Sequence, residues 1–299
     1  MPYRCRVHAS MNRRQALIGA LSVATIGIAG TSGCERGRPP DSVSPTADPP
    51  IRLYPSAAAD LFQPGKRFRV ETGDVAVSEL KPAGMLRMPT GRLVATDPSW
   101  LHAGPSPDIG PFTATVAPGA YPVTLALLRG PDLRVAAARL TVRDEPVAGW
   151  EMALRPGQDT STLRPGYFFG VGVDAAVIAL FDAAALEAAR SLENAGPGAF
   201  HVEGADRPLE YPSLAPGANA IAFNTGWGDG DYPVWIGRTG DGAIGCFIVD
   251  MLMLAAPSGA SGATPWTPPS TASHPPPLPT TNGPTVPPIP FSPEPFSLG

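Results

Sequence analysis

Cysteine is close to absent: the 299 residues hold three, Cys5, Cys34 and Cys246. If Cys5 is removed with a leader and Cys34 is modified, Cys246 alone remains, so the mature domain carries no disulfide even where its compartment would allow one. Cys246 lies in an apolar run and reads as a small buried hydrophobe. A catalytic thiol would want a histidine beside it. Histidine is equally sparse. His8, His102, His201 and His274 show no metal-ligand spacing, and no His-Glu-x-x-His is present. Charge is low at 16% of residues, with a net charge of −4. The basic face that a nucleic-acid binder needs to displace counterions is therefore missing. No Gly-x-Ser-x-Gly elbow and no phosphate-cradling loop occurs. The apolar run near the N-terminus, Ala16 to Gly30, is too short and too rich in Gly and Ala to span a bilayer comfortably.

What is present begins with that run. Arg13 and Arg14 precede it, and Thr31-Ser32-Gly33-Cys34 comes after it. A charged start, an apolar middle and a small-residue end make an export signal. The arginine pair resembles a twin-arginine signal, although Ala16 stands where a Phe is usual. The end resembles a lipobox, in which the cysteine sulfur receives a diacylglycerol. Thr31 departs from that pattern, which usually has Leu, Ile or Val three residues before the cysteine. Two other readings stay open, a plain cleaved signal with Cys34 incidental and a retained N-terminal anchor. The signal starts at either Met1 or Met11.

Proline and glycine are abundant, at 39 and 33 residues. They divide the chain. Residues 1–34 read as the signal with its lipobox-like site, 35–50 as a flexible tether, 51–256 as one globular β-rich domain, and 257–299 as a disordered tail. Proline makes up about a third of that tail, including Pro275-Pro276-Pro277. The middle segment alternates short β-type runs with turns. Arg92 to Thr96, Phe112 to Val116, Tyr121 to Leu128, Leu133 to Val142 and Val147 to Leu154 read as strands, as do Phe168 to Val173, Ala220 to Phe223 and Ile244 to Leu254. Asp182 to Asn194 reads as a helix with Asp182 at its N-cap. The expected class is α+β: a mainly antiparallel sheet or sandwich with at least one α-helix.

Five stretches in this segment resemble a known family. They are Gly91 to Pro98, Pro118 to Val123, Arg134 to Ala138, Pro146 to Ala153, and Gly226 to Pro233. Their order and spacing look like the bacterial family called domain of unknown function 4241, over about Leu86 to Leu254. The resemblance implies no activity. Members typically carry Val-Asp-Ala-Gly-Thr-Gly-Cys-Phe before the helix, where this chain has Val173 to Leu180 without those glycines, the threonine or the cysteine. Asp174 is retained. The family's later Gly-Tyr-Asp is also replaced, by Gly237-Arg238-Thr239.

The best candidate binding residues are Trp227, Asp229, Asp231, Tyr232 and Asp174. Glycines around the Asp229-Gly230-Asp231 pair would let a backbone approach a ligand, and the two carboxylates suit a hard cation. Trp227 and Tyr232 would stack on a sugar or ring. The plainer reading is a tight β-turn with Asp229 capping its own backbone. Asp97, Asp174, Asp182 and Asp250 fall at or near element ends; they could converge into a metal or acid/base cluster, but turn and cap roles explain each of them separately. Arg134 and Arg139 read as solvated or paired with acids, and Trp150 and Trp235 as core. No catalytic residue and no metal ligand is assigned, and the cofactor is unknown. Two functions remain. One is a lipid-anchored envelope protein whose domain binds a ligand, with the membrane as its partner and the outer face of the cytoplasmic membrane as its place. The other is a carboxylate- or divalent-cation-dependent hydrolase.

Overall fold

Strands of apolar and β-branched residues sort the described residues into two antiparallel sheets. The computed structural model describes residues 53–254, apart from 104, 105, 107, 108 and 165, together with Thr267. The expected leader and tether, and the tail apart from Thr267, lie outside the described residues. In chain order the strands are β1 (Arg67–Arg69), β2 (Val75–Met88), β3 (Leu93–Thr96), β4 (Gly119–Arg129), β5 (Leu133–Thr141) and β6 (Val147–Met152). They continue with β7 (Gly170–Val173), β8 (Val177–Asp182), β9 (Leu209–Ala215), β10 (Ala218–Asn224), β11 (Gly230–Thr239) and β12 (Ile244–Asp250). Two helices, α1 (Pro55–Asp60) and α2 (Leu186–Ala195), complete the set. The larger sheet runs β1-β2-β4-β5-β12-β11-β6, with β7 also paired to β11; the smaller runs β3-β8-β10-β9. The β-rich, antiparallel, helix-bearing class is the one its residues predict.

The two central strands of the smaller sheet, β8 and β10, bury both faces. Ile178 and Leu180 of β8, with Ile221 and Phe223 of β10, join the core shared with the larger sheet. Their neighbours Val177, Ala179, Phe181, Ala220 and Ala222 face a second core with Ala185 and Ala189 around α2. Period-two alternation on a strand produces this split directly. Small alanines on the helix side let α2 approach closely. Burying each Leu, Ile or Phe contributes about 1.5–3 kcal/mol relative to exposure.

Strand β2 links the sheets. Its register shifts between Pro82 and Gly84, a bulge at which a strand proline is tolerated. Beyond it Leu86 and Met88 are fully buried. Asn219 on β10, also fully buried, accepts from the Arg87 N–H at 2.7 Å and donates to the Met85 carbonyl at 2.9 Å and to Glu210 at 3.1 Å. A second bridge is Arg155, 3% exposed. It donates to the carbonyls of Ala95 on β3 (2.8 Å), Gly110 (3.2 Å) and Gly170 on β7 (3.3 Å). Its guanidinium lies 4.9 Å from the Phe112 ring centre.

Several local expectations differ. Phe112 to Val116 is not a strand. Its Phe112 and Val116 N–H groups donate to Leu93 and Gly91, while Thr113 donates to Leu154, so the donors split between two neighbours and no ladder forms. Strands β1, β2, β8, β9 and β11 are not among the runs that read as strands. Pro82 and Gly84 in β2 and Pro212 in β9 look like turn punctuation. The helix is preceded by a 3-10 turn, Ala183–Ala185, and Asp182 accepts from the Ala184 N–H at 2.8 Å. Arg139 is not a solvated side chain. It is half-buried, with its guanidinium 4.4 Å from the Phe62 ring centre and burial pulling it below the usual arginine range.

Arg155→Leu keeps side-chain bulk but strands three carbonyls. It should lower the unfolding free energy by about 3 kcal/mol or more. Urea denaturation of the purified protein measures this, and a loss within experimental error of zero would show that the bridge is dispensable.

Candidate functional site

The predicted binding residues fall on two adjoining pieces of chain, the β10–β11 connection and the β7–β8 turn. Gly230, Asp231 and Tyr232 are not a tight turn; they open strand β11 and pair with Val173, Gly172 and Val171 of β7. This register sets the backbone of Asp174, the residue after Val173, beside Asp229. The turn proper is Thr225 to Asp229. It is held by the Thr225 hydroxyl and the Tyr232 hydroxyl (2.8 Å), both donating to the Gly228 carbonyl. The Thr225 N–H donates to Ala176 at 2.9 Å, which ties this turn to the β7–β8 turn.

Each glycine here has a use. A Cβ on Gly226 would collide with the Val135 carbonyl oxygen and the Met253 sulfur. The chain therefore passes where only hydrogen fits. The freed Gly226 carbonyl accepts from Arg134 at 3.1 Å. Arg134 also pairs with Asp132 at 3.0 Å and sits 5.1 Å from the centre of the Trp227 ring. Trp227, half-buried, lines a depression with Val70, Asp74, Leu128, Asp132 and Met253. Its volume, about 90 Å3, is below the several hundred that a drug-sized ligand fills. Tyr232, expected to offer a ring to a ligand, is only 3% exposed and serves to close the turn.

The acids are held apart by their backbone duties. Asp97 is fully buried; one carboxylate oxygen accepts from the Ser99 N–H at 2.8 Å, the other from the N–H groups of Asp174 (2.6 Å) and Ala175 (2.7 Å). Asp97 thus fixes the β7–β8 turn, while the Asp174 side chain stays exposed. Fully buried Asp182 accepts from Thr90 through both N–H and hydroxyl, from the Arg92 N–H and from Ala184. Asp250 ends β12, 6% exposed, and accepts from the Leu252 N–H at 2.9 Å and the Trp235 indole at 3.3 Å. Among the described residues, no three His, Cys, Asp or Glu side chains group where they would hold a metal ion. Cys246 is buried, and burial pushes its thiol up. Arg155 and Asn219, which join the strands around these turns, carry no signal in the sequence. Arg155 precedes Pro156-Gly157 and reads as part of an exposed turn.

A family model matches residues 86–249, more than half of the chain. The chain belongs to the family described as protein of unknown function (DUF4241). No curated protein matches it. No solved structure does so either. The DUF4241 match runs from the last three residues of β2 through most of β12, and so takes in the smaller sheet, the larger sheet from β4 onward, α2 and the Trp227 turn. Membership gives one departure a physical meaning. Ala176 has φ +56°, the left-handed region, at the position where the run typical of members places a glycine. An L-residue there is strained by about 1–2 kcal/mol.

This geometry makes two effects measurable. Ala176→Gly should stabilise the domain by about 0.5–1 kcal/mol, the relieved strain less the glycine's own entropy. A lower urea midpoint for the variant would contradict the strain. The second effect concerns Asp250, whose carboxyl burial pushes up to about 6 from an ordinary 3.8. The folded state holds this proton after an unfolded aspartate has released it. The resulting stability is full below pH 3.8 and is lost as pH rises through about 6. That window corresponds to about 3 kcal/mol. Asp250→Asn removes this titration. Urea midpoints at pH 4.5 and 7.5 should therefore fall with pH more steeply for the wild type than for the variant, and parallel slopes would refute the assignment.

Proposed function

We propose that this protein is exported and held to the outer face of the cytoplasmic membrane by a lipid on Cys34, as a non-enzymatic binding domain of the cell envelope. The observation that carries the reading is the order of Arg13-Arg14, the uncharged run Ala16 to Gly30, and Thr31-Ser32-Gly33-Cys34. The twin arginines suit a route that passes folded proteins, which a domain without a disulfide requirement can use. The first described residue, Leu53, is 1% exposed and packed in the core. The 18 residues 35–52 between Cys34 and the domain reach at most about 60 Å when extended, enough to lift it clear of the headgroups.

The binding half of the proposal rests on the Trp227 turn. Arg134 stacked on Trp227, with Asp132 and Asp74 beside it, gives an aromatic surface edged by charge. Aromatic and arginine side chains of this kind dominate recognition surfaces. The cation-dependent form of the hydrolase alternative gains no support, because no three His, Cys, Asp or Glu side chains group to hold a metal ion among the described residues. The oxygens of Asp97, Asp182 and Asp250 accept from backbone, threonine and indole donors of their own fold.

Fatty-acid labelling in a bacterial host tests the anchor. A clickable palmitate analogue should mark the wild type and not Cys34→Ala, and the variant should leave the membrane fraction. Equal labelling of both proteins sinks the lipid anchor; unlabelled wild type recovered from the cytoplasm sinks export as well.

A further inference from the structure

The chain leaves its last strand at the rim of the depression beside Trp227. After β12, Leu252 takes φ +54° and turns the backbone. Met253 then lines the depression, its carbonyl accepting from the Glu71 N–H at 3.0 Å. Leu254 bridges to Val70, another lining residue. The C-terminal extension beyond Leu254 therefore starts within a few ångströms of the depression.

The composition of that extension fits this place. From Ala255 to Pro293 there is no Asp, Glu, Lys or Arg. Carboxylates of Asp74 and Asp132 edge the depression and disfavour an anionic occupant. Its floor of Val70, Leu128, Met253 and Trp227 favours an apolar one. A volume of about 90 Å3 suits a proline ring or part of an indole rather than a free ligand. The first dense apolar motif after Leu254 is Pro265-Trp266-Thr267-Pro268. The ten residues 255–264 before it span up to about 35 Å, so the motif reaches the depression easily. Prolines flanking an aromatic are preset in an extended form that docks on tryptophan surfaces with little ordering cost. A short tether also raises the local concentration to about millimolar, so a weak contact is occupied within one molecule.

We infer that the segment Pro265 to Pro268 docks in the depression beside Trp227 of its own chain, covering the surface that an external ligand would use. The contact requires neither export nor lipid. It makes the C-terminal extension a built-in competitor, displaced only by a ligand that binds the Trp227 surface more tightly than the motif does.

Photo-crosslinking of the full chain tests this. Trp266 is replaced by a photoreactive benzoyl-phenylalanine, and the protein is irradiated as an equal mixture of ordinary and nitrogen-15 labelled molecules. Adducts are mapped by mass spectrometry. The expected adducts join residue 266 to Val70–Ala76, Leu128–Arg134 or Gly226–Trp227 within one isotopic species. Thr72→Arg, an exposed rim position that the core does not depend on, should cut the yield by about tenfold, equivalent to about 1.4 kcal/mol. Adducts elsewhere on the domain, adducts joining the two isotopic species, absence of adducts, or a yield unaffected by Thr72→Arg would each overturn the inference.

Discussion

The guanidinium of Arg155 is the contact on which the architecture turns. Where strands are buried on both faces, apolar contact alone leaves backbone carbonyls at their ends without water, and these need donors from the fold. Arg155 supplies them by donating to carbonyls from β3, β7 and the segment around Gly110 while stacking on Phe112. These acceptors come from separate stretches of the chain, and a planar, multi-donor group reaches them together where an ammonium would not. Asn219 makes the matching junction between β2 and β10. With these two in place, the Ile, Leu and Phe side chains of β8 and β10 pack against the larger sheet in one fixed register.

The same logic assigns the buried acids. Asp97 and Asp182 gather backbone N–H groups at the start and end of their elements, and each holds a turn that would otherwise leave donors unmet inside the fold. Their charge is matched by dipoles of the backbone, so burial does not demand a metal or a catalytic partner. Asp250 is the exception in degree. It has two donors, from Leu252 and Trp235, and burial dominates, which raises its carboxyl to about 6. Its position just before Met253 and Leu254 puts a titrating group a few residues from the rim of the Trp227 depression.

Much of the strand content was legible because alternation and turn residues survive local reading. β3, β4, β5, β6, β7, β10 and β12 obey such signals, and α2 obeys its Ala- and Leu-rich run behind the Asp182 cap. The losses have separate causes. In β2 and β9, prolines sit where a turn is the default interpretation, yet a bulge and an edge position accommodate them. Phe112 to Val116 has strand composition, but its donors are claimed by two different neighbours. For the site, sequence singled out Trp227, Asp229 and Asp231 by residue type. It had no means of showing that Tyr232 points inward, or that Asp174 is held by Asp97, because those facts depend on pairing across about eighty residues.

By itself the sequence determined the class of fold, the family to which the chain belongs, the scarcity of histidine and cysteine, and the presence of a proline-rich end. Each of these is a property of composition or of neighbours along the chain. The tertiary structure alone decided which acids became structural anchors, that a lone buried arginine joins the sheets, and that the exit at Leu254 lies against Val70 at the depression Trp227 lines. Those outcomes depend on which distant backbone groups are left without water once the core closes, and no local pattern encodes that.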